Sequence, residues 1–506
     1  MKRTIVIVLT ILSMLALVPA SPATAGGKSC ESRVNNTTKK LLECVTVDGV
    51  REHQAAFQAI ADANGGIRTS GTPGYDASVA YVAERMEAAG YNVTIQPFEF
   101  EAFILLGPST LAQTAPGSVS YVEDTDFAVM SQSDPGVASA PVTGVDLQLF
   151  LGNTSSSGCE AADYAGFSAG NIALVQRGAC TFQLKAENAA AAGATGVILF
   201  NQGNTEERKG LINGTLSAGY SGGIPVMEAT YDLGEALAGI SGLEMALDAN
   251  VFRGLATSFN VLAESTHGDP DNTIMVGAHL DSVNQGPGIQ DNGSGSAAIL
   301  EVAEQMAKVK PRNQVRFAWW GAEESGLVGS DNYVFGLPQE ELDQIALYLN
   351  FDMIGSPNYV RFIYDGDGSA FGLEGPEGSA VIEEFFKEFY GDRGLASEPT
   401  EISFRSDYAA FFDSGIPFGG LFTGAEGIKT PEQEAIYGGT AGEQYDPCYH
   451  LACDTFDNIS LEVLDLNADA VAASTLQYAM NTEAVNGESG KGNFKPSQDR
   501  VPEMAS

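Results

Sequence analysis

From residue 273 onward the chain repeats one pattern. A short apolar run stops abruptly, in the first three cases with a histidine or an acid at or just past its end, and an amphipathic stretch follows. The runs are 273–279, 315–320, 345–352 and 416–421, and helical spacing marks 294–307, 327–335 and 377–390 between them, with a last helix over 461–480. Runs this short, each followed by a helix, specify a mixed, largely parallel sheet with helices on both faces, an α/β architecture. Side chains at the carboxyl ends of such strands converge on one crevice.

The residues that end the runs are chemically selected. Of only four histidines, two bracket the series, and between His279 and His450 lie Asp281, Asp291, Glu323, Glu324 and Asp352. Imidazole and carboxylate are zinc ligands, and such a set has enough members for two zinc ions and one catalytic base. Taken singly, each residue has a plainer explanation. A histidine at a strand end is commonly a hydrogen-bonded structural residue, and the Asp291-Asn292-Gly293-Ser294 turn reads first as a helix N-cap. Adjacent acids such as Glu323-Glu324 commonly open a solvated helix. The combination shifts the balance: Asp281 stands two residues beyond His279, on the same face of an extended chain, where a carboxylate can orient the ring. Both tryptophans of the chain lie in the run that delivers Glu323 and Glu324.

A net charge of −39 argues against a nucleic-acid partner. Residues 1–25 read as a secretory leader: Lys2 and Arg3, an apolar stretch, then Ala23-Thr24-Ala25. No later stretch approaches the roughly 18 apolar residues of a membrane span. The expected setting is therefore secreted and extracellular, with no membrane attachment once the leader is removed. Six cysteines suit three disulfides in an oxidising compartment. Spacing leaves their pairing open; the nearest-neighbour scheme joins Cys30 to Cys44, Cys159 to Cys180 and Cys448 to Cys453, the last around His450.

Two helices, about 48–63 and 76–89, and a strand over 91–100 precede a stretch of different character. Within it, Ile172-Ala173-Leu174-Val175-Gln176-Arg177-Gly178-Ala179-Cys180-Thr181-Phe182, then Lys185 and Ala192-Gly193-Ala194-Thr195-Gly196-Val197, resemble the protease-associated domain, a small β-rich module inserted into peptidases. The expected organisation is a leader at 1–25, a first peptidase part at 40–120, the insert at 121–255, a second peptidase part at 256–480, and a disordered or processed tail at 481–506.

The segments Gly277-Ala278-His279-Leu280-Asp281-Ser282, Asp291-Asn292-Gly293-Ser294-Gly295-Ser296, Trp319-Trp320-Gly321-Ala322-Glu323-Glu324, Asn350-Phe351-Asp352-Met353-Ile354-Gly355 and Pro447-Cys448-Tyr449-His450 resemble those of secreted double-zinc leucine aminopeptidases of the bacterial type. That resemblance implies a zinc-exopeptidase fold in which His279 and Asp352 bind one zinc, Glu324 and His450 the other, and Asp291 bridges them. It implies Glu323 as general base acting on water that the metals activate, Tyr449 as an aid to the oxyanion, and a cis peptide between Asp291 and Asn292. It further implies that the substrate amine meets Glu323, the Asp352 ligand and the carbonyl of Arg405, while Met353, Phe422 and Tyr449 border the pocket for a large apolar first side chain such as leucine. Phe404 and Tyr408 depart from the family pattern beside that pocket. Calcium at Asp465 and Asp469 is a further implication, weakened because the partner position holds Cys44.

The expected activity is thus hydrolysis of the N-terminal residue of peptides by a monomer. The alternatives are a zinc carboxypeptidase of the glutamate-releasing type, which needs cations for a terminal carboxylate where only Arg405 stands, and a non-catalytic receptor-like protein on the same fold, which predicts lost ligands. Glutaminyl cyclases share the fold but use one zinc.

Overall fold

The computed structural model describes Cys30 and residues 32–490. The expected leader at 1–25 and residues 491–506 of the expected tail lie outside the described residues.

Among those residues the strands form two sheets of eight. The first runs in the order Asn92–Leu105, Val251–Glu264, Asn313–Trp320, Asp269–His279, Ile345–Phe351, Phe418–Phe422, Phe362–Tyr364 and Glu398–Thr400. Its centre is parallel, with Asp269–His279 between Asn313–Trp320 and Ile345–Phe351. Both faces are covered, so the central strands read as continuous apolar runs. Alternation sorts their side chains: Ile274, Val276 and Ala278 join one core with the helices Val47–Ala63, Pro73–Ala89, Gly293–Met306 and Leu461–Met480. Met275 enters a second core with Val334, Tyr348 and Phe411. Gly295 fits helix against strand, since a Cβ there would lie 2.0 Å from the Phe351 carbonyl oxygen.

The second sheet takes its strands from Thr110–Ala115 to Glu244–Ala249, and its parallel centre is Ile172–Gln176, Gly196–Phe200 and Val226–Ala229. Thr110–Ala115 and Val119–Ser120, expected in the first peptidase part, belong here instead: Thr110–Ala115 pairs with Glu244–Ala249 and with Val119–Ser120. The two bodies are joined by a long antiparallel ribbon in which Asn92–Leu105 pairs with Val251–Glu264, ending at Leu105 opposite Val251.

Residues 481–490, the described start of the stretch expected to be a disordered or processed tail, pack against the domain. Glu483–Asn486 is helical and Val485 is buried. Thr482 Oγ1 accepts from Asn272 Nδ2 at 2.8 Å. One apolar anchor and such bonds hold a segment whose composition reads as tail. Disulfides join Cys30 to Cys44, Cys159 to Cys180 and Cys448 to Cys453, with Cα–Cα distances of 5.6, 5.8 and 5.3 Å. No described helix is long and apolar enough to cross a membrane.

Candidate metal centre

The carboxyl ends of three central strands and the loop around His450 meet at one cleft of about 360 Å³. His279, the last residue of its strand, is buried; its Nε2 lies 3.1 Å from Asp291 Oδ1 and 3.3 Å from Asp352 Oδ1. His450 Nε2 lies 3.2 Å from Asp291 Oδ2 and 3.1 Å from Glu324 Oε2. The two oxygens of Asp291 thus face different histidines. His279, Asp291 and Asp352 form one group of donors within 4.8 Å, and Asp291, Glu324 and His450 form a second.

Each ligand is held by the chain around it. Asp281 Oδ1 stands 3.6 Å from His279 Nδ1, which also lies 3.2 Å from the Asp281 carbonyl oxygen. The Asp291 and Gln290 N–H groups donate to the Asp454 carboxylate at 3.0 and 2.9 Å. Asn292, joined to Asp291 by a cis peptide, caps the following helix, its Oδ1 accepting from Gly295 N–H at 2.9 Å and from Met353 N–H at 3.1 Å. A hydrogen-bonded chain runs from Trp320 Nε1 to the Tyr348 hydroxyl and on to Asn350 Oδ1; Asn350 Nδ2 donates to Ser406, whose hydroxyl donates to Asp352 Oδ2 at 2.6 Å. The buried Arg68 guanidinium donates to the Leu280, Pro287 and Gly288 carbonyls, fixing the loop between His279 and Asp291.

The electrostatics fit cations. Burial and then the Asp291 charge push the Glu324 carboxyl up to about 7, and burial raises Glu323 well above its ordinary range. Burial pushes Asp407 up to about 8. Burial works against charge on His450 too, yet its bonds to Asp291 and Glu324 drive it up to about 10. So many carboxylates in one dry place call for positive charge, from protons or from metal ions. Asp281 Oδ2, Glu324 Oε1 and Asp352 Oδ1 are buried without a hydrogen-bond donor. Oxygen donors left this way beside two imidazoles suit zinc.

Around the cluster, Tyr449 stacks on His450 with ring centroids 3.8 Å apart, and its hydroxyl accepts from Arg405 Nη2 at 3.1 Å. Arg405 also pairs with Glu426 at 2.8 Å. Met353 and Phe422 line the cleft, as do Phe404 and Tyr408. The last two are coupled, for the Phe404 N–H donates to the Tyr408 hydroxyl at 2.8 Å and Phe404 has φ +57°. Asp465 Oδ1 accepts from Val47 N–H at 3.1 Å, and no cluster of three metal donors among the described residues includes Asp465 or Asp469. Sequence reasoning missed Arg68, Ser406, Asp407 and Asp454; only Ser406 and Asp407 carried a signal, by adjoining Arg405.

Residues 260–475 match peptidase family M28 and residues 138–237 match the PA domain. An aminopeptidase of Pseudomonas aeruginosa is 55% identical over 453 residues, covering 90% of this chain and 84% of that protein. Leucine aminopeptidase 2 of Trichophyton equinum is 39% identical over 460 residues, 90% of this chain and 88% of its own. Among solved structures, a zinc aminopeptidase from Bacillus subtilis superposes with a TM-score of 0.62 at 27% identity, over 85% of this chain and 94% of its own. An aminopeptidase from Aneurinibacillus sp. strain AM-1 gives 0.61 at 26% identity, over 91% and 99%.

Proposed function

The chain belongs to peptidase family M28, carries a PA domain and is a metallo-aminopeptidase of that zinc family; from that premise we propose that it is secreted and releases a large apolar N-terminal residue, such as leucine, from peptides. In this reading two zinc ions share the site, one on His279 and Asp352, the other on Glu324 and His450, with Asp291 between them. The observation that carries it is the division of the Asp291 carboxylate, one oxygen toward each histidine.

Bound zinc would supply Lewis acidity toward the scissile carbonyl and ease deprotonation of water. The protein's own groups do the rest. Glu323, whose carboxylate lines the cleft 4.0 Å from His279 Nε2, takes the proton of the attacking water and hands it to the leaving amine. Tyr449 accepts from Arg405 and keeps its own hydroxyl proton to donate to the oxyanion, because burial raises its pKa. The substrate ammonium would lie among Glu323, Asp352 and the Arg405 carbonyl, and the first side chain beside Met353 and Phe422. The leucine preference is supported by the likeness to the Trichophyton leucine aminopeptidase, and secretion by three disulfide pairs.

The test is elemental analysis together with hydrolysis of aminoacyl chromophores. Zinc near two per chain and fastest release from the leucyl or a similarly large apolar derivative is the expected result. Cleavage that survives N-terminal acetylation but stops when the C-terminus is amidated would overturn it.

A further inference from the structure

We propose that the loop Asp365-Gly366-Asp367-Gly368-Ser369-Ala370-Phe371, with Glu383 from the helix Ser379–Gly391, is a binding site for a hard divalent cation of the calcium class. Donor oxygens of Asp365, Asp367 and Glu383 lie within 4.8 Å of one another. Oxygens that each sit about 2.4 Å from a shared calcium stand at most about 4.8 Å apart. The site contains no histidine or cysteine, which favours calcium over zinc.

A second observation points to a missing cation. Asp365 is 1% exposed; its Oδ2 accepts from the Ala370 and Phe371 N–H groups at 3.0 and 2.9 Å, yet its buried Oδ1 has no hydrogen-bond donor. A buried carboxyl oxygen left without a partner is costly, and a cation would complete it. Glu383, also 1% exposed, accepts from Asp367 N–H at 2.9 Å through Oε2. The Ser369 side chain and N–H hold the Asp367 carboxyl below its ordinary range, so it is a charged ligand at neutral pH. Among the described residues, the cation at the cluster is the Lys387 ammonium, which pairs with Glu383 Oε1 and stands 4.0 Å from Asp367 Oδ2. It serves those two acids and leaves Asp365 Oδ1 unmet. Its side chain is 37% exposed, so the ammonium can move to solvent when a dication enters.

The loop directly follows the strand Phe362–Tyr364, and the Tyr364 ring lies 4.7 Å from that of Tyr408 in the wall of the substrate cleft. A bound ion would tie this wall to the helix Ser379–Gly391. The proposal is independent of the zinc assignments.

The test uses the zinc-saturated full chain, freed of calcium and titrated with calcium chloride by calorimetry and thermal unfolding. Calcium is expected to raise Tm by about 3–6 °C at saturation. Asp367→Asn, a change at a side chain 42% exposed, is expected to weaken binding at least about tenfold. Lys387→Ala, which removes the competing ammonium, is expected to tighten it severalfold. No calcium-linked rise in the parent protein, or a rise that Asp367→Asn retains in full, overturns the proposal; so does unchanged calcium affinity in Lys387→Ala.

Discussion

Asp281 Oδ1 accepts the Glu323 backbone N–H at 3.2 Å while standing 3.6 Å from His279 Nδ1, so one carboxylate oxygen positions both a metal-ligand candidate and the candidate base. Asparagine at 281 can still accept from Glu323 but loses the charge that steers the imidazole; alanine loses both. Asp281→Asn should therefore lower zinc affinity about 10- to 100-fold. Asp281→Ala should show the same loss and, at saturating zinc, a further fall in kcat. Equal kcat in the two variants at saturating zinc would sever the link to Glu323.

Glu323 sits 4.0 Å from His279 Nε2, the longest of that nitrogen's carboxylate approaches. As the proposed base rather than a ligand, it should be replaceable without loss of metal. Glu323→Gln is expected to cut kcat by about 10²- to 10⁴-fold with zinc content unchanged. Zinc content that falls along with kcat would make it a ligand.

Phe404 holds a left-handed backbone, φ +57°, at the edge of the cleft. Glycine accepts that conformation freely. Phe404→Gly should leave folding intact and enlarge the pocket, shifting kcat/KM toward bulkier first residues by about tenfold. Competing aminoacyl chromophores measure this, and an unchanged order of rates would place Phe404 outside the pocket.

Lys185 is buried in the insert, bonded to the Ser157 carbonyl and 3.5 Å from Cys159 Sγ. Burial pushes its ammonium down to about 8 from the ordinary 10.5. The folded state thus binds fewer protons than the unfolded state between these values. The cost of burying the charge is complete below pH 8 and is relieved as pH rises toward 10.5. Urea unfolding of the parent against Lys185→Met should show the parent gaining relative stability across that window. Parallel pH profiles would show that Lys185 does not titrate there.

How much of the site could be read in advance follows from chain distance. His279, Glu323, Glu324 and Asp352 each stand at or shortly after the end of an apolar run, and Asp291 stands just before the helix Gly293–Met306; a local pattern reports a local fact. Asp454 holds the Asp291 N–H from far along the chain, and Arg68 reaches the loop before Asp291 from the other direction; neither is flagged by its own neighbours. The α/β alternation was legible from the same runs, because strands buried on both faces are continuously apolar. The strand Val251–Glu264 was not read as one. Its outer half mixes buried, half-buried and exposed residues, giving no run to detect, and what defines it is its register with Asn92–Leu105.

That ribbon has an evolutionary consequence. Leu105 and Val251 are direct strand partners, so the chain leaves for the insert and returns at points separated by about 5 Å, a spacing that a two-residue turn can close. A genetic event adding or deleting everything between them would change a hairpin tip and nothing else in the sheet. The candidate ligands all lie downstream of the junction, so such grafts can be tried repeatedly without moving the chemistry.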